Sequence, residues 1–129
     1  MNKQEHINYW SQLALNDFDT AVYNLEGQRN VPALFFFHLC IEKMLKANWV
    51  KDNLTLTPPF THDLQKIASE TDIDWTAENF DYLMVVNAWN IEARYPDYKN
   101  TLHKIATAEY IKIQHQKVET LIQWLLKKL

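Results

Sequence analysis

The stretch Ala93-Arg94-Tyr95-Pro96-Asp97-Tyr98 sets a planar guanidinium beside two aromatic rings and a carboxylate. Arginine makes bidentate contacts to phosphate or carboxylate and tyrosine stacks on flat rings, so these residue types suit phosphate and base recognition. A plainer use of the same residues is an Arg94–Asp97 pair that pins a turn while Tyr95 and Tyr98 fill core. A second set, His38, Glu42 and Lys46, falls at i, i+4 and i+8, which on a helix makes one polar stripe. Phe35, Phe36, Phe37, Ile41, Met44 and Leu45 flank it thickly, and partial desolvation there would shift proton affinities. The alternative is an exposed ladder of helix-stabilising pairs, worth about 0.2–0.5 kcal/mol each. A third set, Thr61-His62-Asp63-Leu64, follows Pro58-Pro59. Capping explains Asp63 well, since a carboxylate favours the positive start of a helix, and explains His62 less well.

Other chemistries find little support. Five histidines occur, but no His-Glu-x-x-His and no paired Glu-x-x-His units, so metal catalysis is not expected. Cys40 sits inside an apolar segment and reads as an inert buried thiol; alone, it can close no intrachain disulfide, which fits a reducing compartment. Ser11 and Ser69 lack a nucleophile-elbow context. A single glycine, Gly27, leaves no phosphate-cradling loop or dinucleotide fingerprint, and no cofactor is expected. The net charge of −3 argues against gripping nucleic acid through a broad basic surface. The start of the chain lacks a secretory pattern, and the longest apolar run, Val31 to Ile41, is about half of what a bilayer crossing needs. A cytoplasmic protein with no membrane association is the expectation.

The elements that must position these residues are helical. Glycine is scarce, Leu, Ala, Lys and Gln are abundant, and apolar residues recur three and four apart. A first helix is expected from near Ile7 to Glu26, with Trp10, Leu13, Ala14, Asp17, Phe18, Ala21, Val22 and Leu25 on one face and Gly27 as its stop. A second, the most apolar, runs from Pro32 to about Val50. Residues 51–60 carry turn chemistry, and Thr61 or His62 opens a short helix ending near Thr71-Asp72. Thr76 caps the next helix, with Trp75 and Phe80 at staple spacing and an inward face of Phe80, Leu83, Met84, Ala88 and Ile91. Pro96 ends it, and where helix resumes is left open. Thr107 caps the last helix, whose stripe is Ile111, Gln114, Val118, Leu121, Ile122, Leu125 and Leu129. At 129 residues without repeats or linkers, one all-α domain of four to five helices spanning 1–129 is expected.

Four pieces, taken in order, resemble the HEPN domain family across nearly the whole chain: Trp10 with Ala14 and Asp17; Phe36 through Ala47; Pro59-Phe60-Thr61-His62-Asp63-Leu64; and Ala93-Arg94-Tyr95-Pro96-Asp97. The resemblance implies an antiparallel up-and-down helical bundle that commonly dimerises, is often encoded beside a minimal nucleotidyltransferase, and is associated with nucleotide or RNA chemistry. Several members are metal-independent endoribonucleases whose motif is an arginine followed after four to six residues by a histidine. Arg94 matches the arginine; the next histidine, His103, follows eight intervening residues that include Pro96, a departure from that pattern. The Arg-Tyr-Pro version is similar to members thought to act as nucleotide-binding or partner subunits. That implies Arg94 on phosphate or a partner carboxylate, Tyr95 stacking, Asp97 orienting Arg94, and His38, Glu42, Lys46 and His62 completing a polar wall.

The expected function is therefore a non-catalytic binding module, a homodimer that takes a nucleotide or RNA ligand or acts with a minimal nucleotidyltransferase. The alternative is a toxin-type, metal-independent endoribonuclease in which His103 is the general base and Arg94 stabilises the phosphate. Five Trp, six Tyr and six Phe exceed what a small bundle readily hides; Trp49, Trp89 and Trp124 read as off the main apolar stripes, and some of the aromatic surplus is expected to form a dimer interface.

Overall fold

In four of the six helices among the described residues, a polar side chain just before the first turn decides where the helix begins. The computed structural model describes residues 1–95 and 100–129. Helix α1 (Lys3–Glu26) starts earlier than the expected Ile7 because Asn2 Oδ1 accepts the Glu5 N–H at 2.8 Å, satisfying one of the free donors of the first turn. Gly27 does stop it, but with φ of −82°; the left-handed residue of the turn is Gln28, at φ 60°. The short link sends α2 (Asn30–Asp52) back antiparallel to α1. Lys3 Nζ reaches the carbonyl of Asn53 at 2.9 Å, and Lys43 pairs with Asp17 at 2.6 Å.

Helix α2 is buried on nearly every side, as an all-round apolar helix must be. It touches α1, the short α3 (Leu64–Ser69), α4 (Ala77–Arg94), the short α5 (Thr101–Ile105) and α6 (Ala108–Leu126). Phe37, Leu34, Ile41, Met44 and Leu45 form the centre of the core. Among the described residues all regular structure is helical, an all-α bundle with four long helices; α3 and α5 bring the number to six.

Thr76 and Thr107 cap α4 and α6 as expected, each accepting the N–H three residues on, and Trp75 packs edge-on against Phe80. The α6 stripe is buried except Leu129, and Gln114, its polar member, accepts the Tyr82 hydroxyl at 2.6 Å. Three expectations need correction. Helix α3 opens at Leu64 and ends at Ser69, because Asp63, rather than Thr61 or His62, accepts the Lys66 N–H, and Asn87 Oδ1 accepts the Leu64 N–H at 2.9 Å. Helix α4 faces inward with Leu83, Val86, Trp89 and Asn90, whereas Met84, Ala88 and Ile91 lie outward. Trp49 and Trp89, read as off the main stripes, are buried, each donating its indole N–H (to Glu70 and Tyr110), and Trp124 is half-buried against Trp75.

Candidate functional site

Two helices and one loop build a polar chain through the bundle. His38, Glu42 and Lys46 share one face of α2, as their spacing predicts, but the face is sealed rather than exposed: His38 is wholly buried, Glu42 and Lys46 nearly so. Removing charges from water is costly unless each finds a partner, so the partners define the site. Glu42 divides its carboxylate: Oε2 accepts from Lys46 Nζ at 3.1 Å, and Oε1 accepts from Nδ1 of His62 at 2.8 Å. His62 stands on the loop before α3 with its ring more than half in solvent. It is thus held by Glu42, which is the part of its role that capping left unexplained.

From His38 the chain turns toward α4. Its Nε2–H donates to the carbonyl of His62 at 3.2 Å, and its Nδ1 accepts from Asn90 Nδ2 at 3.3 Å. Asn90 Oδ1 in turn accepts from the Arg94 guanidinium at 3.4 Å. These bonds assign the neutral Nε2-protonated tautomer. Burial pushes the His38 ring down to about 4; the nearby Glu42 carboxylate, 3.9 Å away, offsets only part of that, and Arg94 adds a smaller push in the same direction as burial. With both ring nitrogens committed and no solvent access, His38 spaces and orients its neighbours and has no free lone pair for a substrate proton.

Arg94 ends the chain at the surface, in the last turn of α4. Its guanidinium lies 6.0 Å from the ring centroids of both Phe35 and Tyr95, and no carboxylate pairs with it among the described residues. Tyr95 is 73% exposed, so it does not fill core. Asp97, expected to orient Arg94, and Tyr98 lie outside the described residues. His103 is exposed on α5 and borders a separate depression of 430 Å³ with Arg29, Asn30, Ala93 and Ala106. The structure therefore gathers His38, Glu42, Lys46, His62 and Arg94 into one network, while His103 lines a depression that Ala93, the neighbour of Arg94, also borders.

Asn90, Phe35 and Trp10 were not among the expected site residues. Asn90 had a signal: an amide in an apolar helix, four residues before Arg94. Trp10, whose ring centroid lies 5.3 Å from Lys46 Nζ, and Phe35 had none beyond their type.

The site is an exposed arginine on an all-α bundle, tied back through Asn90 to a buried histidine. The chain belongs to the HEPN domain family, whose model matches residues 7–129. Neither a search of curated proteins nor one of solved structures gave a match. Among the described residues, no helix is long and apolar enough to cross a membrane.

Proposed function

We propose that the protein is a non-catalytic HEPN binding module that captures the anionic group of a nucleotide-type ligand at Arg94. One observation supports this above the rest: the guanidinium is exposed at a helix end, held by the neutral amide of Asn90, and flanked by the rings of Phe35 and Tyr95. Its charge is thus oriented without being neutralised by a described carboxylate, and rings beside it suit a base. A minimal nucleotidyltransferase is the partner proposed to present such a ligand. The working form is proposed as a homodimer built on the outward face of α4, where Met84, Ala88, Ile91 and Tyr95 follow one another at helical spacing.

Calorimetric titration of ATP and of a short RNA into the wild type and Arg94→Ala tests it. A charge-assisted hydrogen bond is worth about 1.5–3 kcal/mol, so at least about tenfold weaker binding is expected in the variant; equal binding would overturn the proposal. RNA incubated with the protein in EDTA is expected to stay intact. Cleavage that disappears in both Arg94→Ala and His103→Ala would instead establish the endoribonuclease alternative.

A further inference from the structure

The polar chain has a second end. Lys46 lies eight residues beyond His38 on α2, about 12 Å along the helix axis, and there it borders a cavity of 310 Å³ between the start of α1 and the loop before α3. Tyr9, Trp10 and Phe60 supply aromatic walls, with Tyr9 and Trp10 packed edge to face at 5.4 Å. Lys46, His6 and Thr57 supply polar groups, and no carboxylate lines the cavity among the described residues.

Two of these residues are arranged in ways the fold alone does not reward. Phe60 is 98% exposed, although burying such a ring stabilises a fold by about 1.5–3 kcal/mol. It is nonetheless presented stiffly: Pro58 and Pro59 precede it, and the Thr61 N–H closes on the Pro59 carbonyl at 3.0 Å, a tight turn with Phe60 at its centre. Lys46 is only 8% exposed, yet the carboxylate behind it is shared with His62. An ammonium carries three donors, and the single Glu42 oxygen takes one.

We infer that this cavity binds a small flat aromatic ring bearing an anionic group, with the ring against Trp10 and Phe60 and the anion on Lys46 Nζ. A cationic ligand, which aromatic walls alone would favour, meets Lys46 and finds no carboxylate in the lining. A neutral ring forgoes the charge-assisted hydrogen bond. The carboxylate or phosphate nature of the anion is open to the same donors. The site is distinct from that at Arg94 and does not depend on it.

Calorimetry with 2-naphthoate, 2-naphthyl phosphate and the cation 2-naphthylmethylammonium tests the inference. With Arg94→Ala as the background, which removes the other proposed anion contact, at least one of the two anions is expected to bind saturably at one site per chain, and the tighter of the two identifies the preferred anion; the cation is expected to bind about tenfold more weakly or worse, 1.4 kcal/mol per decade. In that background Phe60→Ala and Lys46→Gln are each expected to weaken the anion about tenfold. Lys46→Gln disturbs a buried pair, so Phe60→Ala, at an exposed position, is the decisive variant. Absence of anion binding, equal binding of the cation, or an unchanged Phe60→Ala would each overturn it.

Discussion

Asn90 donates its amide Nδ2 to Nδ1 of His38 across 3.3 Å, joining the C-terminal part of α4 to α2. The same amide accepts from Arg94, so one neutral side chain satisfies a buried ring and aims a surface cation. Asn90→Leu keeps the size and removes both bonds. It leaves a buried nitrogen without a donor, which costs about 1–3 kcal/mol. Urea unfolding of the two proteins at pH 7 is expected to show that loss as a lower midpoint at unchanged slope; an unchanged midpoint would mean that the bond contributes nothing.

Protonation of His38 should govern stability in mild acid. A free imidazole titrates at 6.5, and the buried ring at about 4. Between those values the unfolded chain holds a proton that the folded chain refuses, so stability is fully present above pH 6.5 and falls as pH drops toward 4. Across the whole window the loss amounts to about 3 kcal/mol. In His38→Gln that share of the slope disappears. Unfolding midpoints measured from pH 7 to 4 check this: parallel pH profiles for the two proteins would show that His38 takes up its proton without resistance from the fold.

How far the sequence leads depends on whether a residue's partners are local. Thr76, Thr107 and the Trp75–Phe80 pair were readable because a cap and a staple are settled within one turn of helix. The α6 stripe was readable because one apolar face stands against a polar one. Helix α4 misled because it is apolar on two faces, Leu83 with Val86 and Met84 with Ile91, and periodicity cannot say which meets the core. The deciding residue is Asn90, whose partner His38 is distant in the chain. For the same reason the types at His38, Glu42 and His62 announced polar chemistry, while the sharing of Glu42 between a lysine on its own helix and a histidine on a loop emerged only on folding.

Cys40 should be chemically silent in the native protein. It is completely buried, and loss of solvent pushes its thiol far above the usual range, with Asp17 adding to the push and Lys43 opposing it. The thiolate is the reactive form, so reaction requires unfolding. A disulfide reagent such as 5,5′-dithiobis(2-nitrobenzoate) is expected to modify no thiol in buffer at pH 8 and one per chain in denaturing guanidinium. Rapid native modification would show that α1 and α2 part readily.

Self-association should reside on α4. Met84 is 64% exposed and Ile91 66%, and with Ala88 between them and Tyr95 beyond they form a continuous apolar strip on a helix already anchored by its other side. Water tolerates scattered apolar side chains, whereas a row of them marks a contact surface. A twofold pair would lay one strip on its copy, and because Arg94 adjoins Tyr95 it would bring both guanidinium groups to the margin of the interface. Glutamate at both positions, Met84→Glu with Ile91→Glu, places charge on the strip without touching the core. At micromolar concentration the wild type is expected to sediment as a dimer and this variant as a monomer of unchanged helical content. A monomeric wild type, or a dimer indifferent to the two carboxylates, would move the contact elsewhere or remove it.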